Sequence, residues 1–225
     1  MNKYTSLYNW QLLPVLAVAI FVMFVFTSGK NSLSADLVQK PTFNIGDKWT
    51  YKYSRRGEEW TFEEIVTSID NSNNVIEMSG KILSGENKGK EFKDKYGFYR
   101  IDGKDYFVDL DAGRQDDDRE NIKARLDVQF PLILDSEWSQ NYRSTGSTDG
   151  LPRVYNNDFE VDKMETITIE AGDFKTYKIE QRQNIQGRYT NYYHTYWYAP
   201  AAKRVIKKES CTNCPAFELL SFEVK

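Results

Sequence analysis

The chain holds two cysteines, Cys211 and Cys214, in a Cys-Thr-Asn-Cys run, and one histidine, His194. A pair this close admits three chemistries. A thiol-redox pair of the thioredoxin kind sits at a helix N-terminus, which lowers the first thiol's pKa, but no βαβ pattern flanks this one. A zinc site needs about four ligands, and two Cys with one His do not supply them; attachment of a metal or partner stays as a minor alternative. In an oxidising compartment the simplest reading is a disulfide between Cys211 and Cys214. It would staple the turn between the strand around Val205 and the run from Phe217 to Val224.

His194 would need a nucleophile or acid within hydrogen-bond reach to act as a general base. No Gly-x-Ser-x-Gly elbow accompanies it, so a structural role on a sheet surface is the expectation. Asp109, Asp111, Asp116, Asp117 and Asp118 have the carboxylates that Ca²⁺ favours, but not EF-hand spacing, and read as a solvated loop. No catalytic residue, metal site or cofactor is expected. The remaining constellation is aromatic: Tyr189, Tyr192, Tyr193, Tyr196, Trp197 and Tyr198. Successive strand residues face opposite ways, so both faces of this strand carry rings. One face belongs to the core. The other is either an aromatic ladder that holds a wide sheet together or a contact surface for a ligand or partner.

These residues must be positioned by strands. From Ile167 to Lys208, short period-two runs are broken at Ala171-Gly172-Asp173, Gln186-Gly187-Arg188 and Ala199-Pro200, the signature of antiparallel strands joined by turns. Phe43, Ile45, Trp49, Tyr51 and Tyr53 share one parity and read as a first strand. Arg56-Gly57-Glu58, Asn71 to Asn74, Gly85 to Gly89 and Ile101 to Lys104 read as turns in a second meander. Arg153 to Asp162 reads as a further strand, and Asp116 to Arg125 as a short helix or loop. About ten or eleven strands result, with no long amphipathic helix to cover them. The fold class is all-β: a large antiparallel meander curled into a half-barrel or open barrel, preceded by an N-terminal hydrophobic helix.

That helix is Leu12 to Phe26, 15 uncharged residues between Lys3 and Lys30. A signal peptide has an apolar core of roughly 7–15 residues and a spanning helix about 20. Residues 1–35 are therefore a cleaved signal peptide or a membrane anchor, with Tyr8 and Trp10 as an interfacial belt in the second case. No cysteine follows the run to be acylated. Residues 36–42 form a linker, and residues 43–225 a single β-rich domain outside the cytoplasm. The 30 basic and 33 acidic residues make a mixed surface, without the basic face of a nucleic-acid binder.

Several of these pieces also resemble a known pattern. Ala171, Gly172, Phe174, Tyr177 and Ile179, followed by Tyr196 to Pro200, Arg204, Val205, Lys207 and Glu209, are similar to the second half of a family of uncharacterised bacterial envelope proteins. Gly46 to Tyr51, and Phe130-Pro131-Leu132 running to Trp138, fit the family's usual order. Such proteins resemble the half-barrel sheets of lipoprotein carriers. The resemblance implies a periplasmic or other extracytoplasmic location and a curved sheet, and brings no catalytic residues. The expected function is non-catalytic: binding of an apolar ligand, such as a lipid, or of another envelope protein on the sheet. The alternative is an assembly subunit held at the inner membrane through residues 12–26. A thiol-redox or other enzyme ranks third.

Overall fold

The computed structural model describes residues 37–110, 125–144, 153–187, 191–210 and 215–225. The N-terminal hydrophobic segment and the charged stretch after Asp111 lie outside them. Among the described residues twelve strands are present: β1 (Lys48–Arg55), β2 (Glu58–Asp70), β3 (Val75–Ile82), β4 (Glu91–Ile101), β5 (Lys104–Asp109) and β6 (Arg125–Phe130) form the first half. The second half comprises β7 (Glu137–Ser144), β8 (Arg153–Ile169), β9 (Gly172–Ile185), β10 (Asn191–Ala199), β11 (Arg204–Ser210) and β12 (Ala216–Glu223). A 3₁₀ turn, Pro200–Ala202, separates β10 from β11.

Every strand pairs antiparallel with its sequence neighbour except across one break, and β1 pairs with β12. The single sheet therefore runs β6-β5-β4-β3-β2-β1-β12-β11-β10-β9-β8-β7. The two free edges, β6 and β7, are consecutive in the chain. Contacts between distant strands show how far the sheet curls: the ring of Phe130 on β6 meets Tyr198 on β10 at 5.4 Å. Arg204 on β11 lies 5.1 Å from the ring of Tyr96 on β4. Of the expected half-barrel or open barrel, the sheet goes beyond the first and forms a nearly closed barrel. Beside the seam, Val38 and Leu132 exchange backbone hydrogen bonds of 3.1 and 2.9 Å, and Phe43 packs inward against Trp49, Phe98 and Phe107.

Local chemistry explains most of the strand ends. Arg56-Gly57 and Asp102-Gly103 have φ of 52° and 82°, and 50° and 79°, the doubly positive pattern of two-residue hairpins. The first strand is shorter than its alternation suggests. Gly46 and Asp47 turn the chain, Asn44 N–H donates to the Asp47 carboxylate at 2.9 Å, and Ile45 is left 60% exposed. The runs read as separate strands around Phe159 and Ile167 are one strand, β8. An extra residue between Val161 and Lys163 shifts the register and breaks the alternation. Arg125–Phe130 forms β6, with Val128 and Phe130 both buried, a strand the sequence reading passed over.

The wall is polar outside and mostly apolar inside. Outward side chains pair across strands as Lys52–Glu59 at 2.9 Å, Lys95–Glu77 at 2.6 Å and Lys178–Asp162 at 3.0 Å. A membrane-spanning barrel needs an outward apolar band about 25 Å tall; charges in mid-strand interrupt any such band here. Inside, one core contains Trp49, Val66, Met78, Phe130, Val161, Ile179 and Leu219.

Candidate functional site

Antiparallel order puts alternate connections at opposite rims. The rim at which β1 begins is closed by a polar clamp. Asp47, with no exposed surface, accepts from Lys203 Nζ at 2.8 Å, from Lys225 N–H at 2.9 Å and from Asn44 N–H at 2.9 Å. Burial pushes the Asp47 carboxyl up, but the Lys203 ammonium and the two backbone donors together outweigh it and hold the group below the usual carboxylate range. Lys203 also donates to the Lys225 carbonyl at 2.8 Å. Beside the clamp, Trp49 Nε1 donates to the Ala202 carbonyl at 2.8 Å. This rim is the base.

Above the base lies a buried ion pair. Arg204 donates through Nη1 to Glu64 Oε2 at 2.6 Å, and both side chains are largely hidden from solvent. The guanidinium sits 5.1 Å from the Trp49 ring, 5.9 Å from Tyr51 and 5.1 Å from Tyr96, a cation–π cage. Burial disfavours the charge on Arg204, but Glu64 and the Tyr51 and Tyr96 phenols more than restore it, and the pKa is raised. Burial also raises the Tyr51, Tyr96 and Tyr198 phenols, so all three stay neutral donors.

Over this pair opens a cavity of about 280 Å³. Tyr51, Tyr53, Phe62, Phe107, Phe130 and Phe217 supply its aromatic wall, with Tyr196 and Tyr198 on the far side. Lys208 lines it too; it is 7% exposed, with its ammonium 5.2 Å from the Tyr196 ring. Toward the other rim, the mouth, β7 to β11 turn polar within. The Tyr196 hydroxyl donates to Gln181 Oε1 at 2.5 Å, and Gln181 Nε2 donates to Asn157 Oδ1 at 2.7 Å. Gln183 Nε2 donates to the same oxygen at 2.9 Å. His194 is 9% exposed, and its Nδ1 is 2.8 Å from Ser210 Oγ on the adjacent strand. Such a network, each member satisfied, rigidifies the wall.

The expected aromatic constellation is therefore divided. Tyr196 and Tyr198 face the cavity, and Tyr192 shares their parity. Tyr193 is 63% exposed on the outer surface. Trp197 shares that parity but is buried, 7% exposed and part of the core cluster, with Nε1 donating to Glu165 Oε1 at 2.8 Å and the Lys207 ammonium over its ring. Tyr189, Cys211 and Cys214 lie outside the described residues; the cysteines fall between the end of β11 at Ser210 and the start of β12 at Ala216. Among the described residues no cluster of three His, Cys, Asp or Glu side chains forms a metal site.

Asp47, Glu64 and Lys208 were not picked out from sequence. A signal existed for Glu64, which alternates with Phe62 and Val66 and so breaks an apolar face. None existed for Lys208. The register slips between Trp197 and Tyr198, leaving Ile206 unpaired, and this turns Lys208 inward where simple alternation from Val205 would choose Lys207.

No protein-family model matches the chain, and no curated protein does. Solved structures similar to it include the following three. One is a Bacteroides fragilis protein described as exported and as having a YmcC-like fold, at 12% identity and a TM-score of 0.49 over 83% of this chain and 99% of that one. The second, described as a lipoprotein of Parabacteroides distasonis, shows 14% identity and a TM-score of 0.44 over 84% and 100% of the two chains. The third is the hypothetical lipoprotein YmcC of Escherichia coli, at 11% identity and 0.40 over 82% and 90%. Likenesses at this level carry no function, ligand or location over to this chain.

Proposed function

We propose that the protein is a non-catalytic component of the bacterial cell envelope that holds an apolar or amphipathic ligand inside its barrel. The observation that carries this reading is the cavity of about 280 Å³ with aromatic side chains on several sides. Small-molecule sites are concave and mostly apolar, with a few placed polar groups; here the aromatic wall is joined by the charged side chains of Glu64, Asp109, Lys203, Arg204 and Lys208. Its ionic groups support binding rather than turnover: Glu64 is committed to Arg204, and Lys203 to Asp47. In this reading residues 1–35 export the chain or anchor it through Leu12–Phe26, and Cys211 and Cys214 are bridged.

Native mass spectrometry of the protein taken from its own envelope, before and after organic extraction, tests it. A stoichiometric apolar mass that leaves on extraction is the expected result. A bare protein that still carries residues 1–35 and travels with other chains would instead favour an anchored assembly subunit. One observation speaks for that second reading: near the base, Leu37 is 49% exposed and Ile45 60%, and a groove is lined by Val38, Phe174, Pro200 and Phe222.

A further inference from the structure

The cavity also narrows the class of ligand, an inference that rests on the binding role just proposed. Its volume of about 280 Å³ falls just below the roughly 300–1,000 Å³ usual for small-molecule sites. A space that small suits one short chain rather than two or three side by side. The charged side chains on its lining are already engaged within the protein: Glu64 with Arg204, Lys203 with Asp47, and Lys208 and Asp109 with partners of their own. A charge on the ligand would leave water and meet no counter-charge in return, which is costly.

The phenols on the lining are not equally engaged. Tyr51 donates to the Val205 carbonyl at 3.0 Å, and Tyr196 donates to Gln181 Oε1. Tyr96 stands beside the Glu64–Arg204 pair, and both charges act on its phenol. Tyr198 is different. It lines the cavity and is only 2% exposed, yet its hydroxyl has no hydrogen-bond partner among the described residues. Burial alone raises its pKa, with no neighbouring charge acting on it, so it stays a neutral donor. The Phe130 ring meets the Tyr198 ring edge-on at 5.4 Å and holds it from across the barrel. A buried hydroxyl without a partner is destabilising, and rare enough in native proteins to call for an explanation. A ligand oxygen in the cavity supplies one.

We infer that the barrel binds an uncharged single-chain molecule, one hydroxyl or carbonyl oxygen of which accepts a hydrogen bond from Tyr198. The chain lies against the aromatic wall of Tyr51, Phe62, Phe107 and Phe217. The class includes medium-chain alcohols, ketones and aldehydes.

Isothermal titration of the delipidated full chain, held in amphipol, with octanol, methyl hexyl ketone, chlorooctane, octanoate, octylammonium and dioctanoylglycerol tests this. The alcohol and the ketone are expected to bind one to one and at least ten-fold tighter than octanoate or octylammonium. Tyr198→Phe, which keeps the ring, should weaken both about five-fold and leave chlorooctane within two-fold. On the unmodified protein, the infrared carbonyl stretch of the bound ketone should lie below its value in hexane. Octanoate or octylammonium binding as well as octanol would overturn the uncharged ligand and leave the ligand-binding role standing. An octanol affinity unchanged in Tyr198→Phe, or a hexane-like carbonyl stretch, would overturn the Tyr198 contact. Dioctanoylglycerol binding as tightly as octanol would overturn the single chain. If none of the six binds, the binding role itself fails. The ligand series and the carbonyl stretch on the unmodified protein decide the matter even if Tyr198→Phe does not fold.

Discussion

The base and the mouth of the barrel are built from the same twelve strands and differ in almost everything else. Connections at the base are short, the longest spanning residues 131–136, and their polar groups are bonded to one another around Asp47. At the mouth, residues 83–90 make a longer connection, and the wall on that side of the barrel carries amides, a histidine and a lysine inside. Loops on a rigid scaffold are where binding residues tend to lie. Under the proposed binding role, the contrast puts stability at one end and recognition at the other, with the Glu64–Arg204 pair as the floor between them.

That division can be broken most forcefully at the floor. Glu64→Gln leaves Arg204 charged among aromatic rings without its carboxylate, and breaking a buried pair this way costs about 3–5 kcal/mol. A drop of that size in urea-unfolding free energy is expected. A drop below about 1 kcal/mol would mean that water reaches the guanidinium and that the floor is not sealed. Asp47→Asn comes next, at about 2–3 kcal/mol for hydrogen bonds to a charged group. Its pH dependence is the sharper signal. The folded carboxyl titrates below its unfolded value of about 3.9, so its contribution is complete above that pH and is lost as pH falls through the lower folded-state value. The stability gap between wild type and Asp47→Asn should therefore be widest near neutrality and narrow below about pH 4. A gap that does not change with pH would show that the clamp works through shape alone.

Both ends were legible in the sequence only in part. Hairpins such as Arg56-Gly57 and Asp102-Gly103 announce themselves, because only a few residue types accept positive φ twice in succession. The alternation of Ile76 with Met78, and of Tyr96 with Phe98, marks strands without further help. What local pattern cannot show is the pairing of β1 with β12, which joins residues more than 160 positions apart and turns two meanders into one barrel. Nor does it show the bulges near Asp162 and Ile206. One inserted residue reverses every later side chain, and the inward placement of Lys208 depends on that. The clamp around Asp47 joins three segments far apart in sequence, and a lone Asp beside a glycine reads as a turn and nothing more.

At the mouth, Tyr196→Phe removes the donor to Gln181 Oε1 while keeping the ring under Lys208. A loss of about 1 kcal/mol is expected, small beside the floor, and the apolar mass sought by native mass spectrometry should be retained if the phenol only braces the wall. A large binding loss with little change in stability would move Tyr196 from the scaffold into the site.

The smallest effect is expected on the outer wall. Lys52 and Glu59 meet at 2.9 Å but keep 45% and 58% of their side-chain surface in water, where screening and side-chain entropy offset most of the attraction. Lys52→Gln should leave the unfolding midpoint unchanged in low and in high salt. This variant is informative because it removes a short ion pair from the same barrel as Glu64→Gln, with burial as the main difference. If its midpoint fell as far as that of Glu64→Gln, charge pairing along the strands would hold the sheet together, and the contrast between a stabilising base and a recognising mouth would have to be redrawn as one between wall and interior.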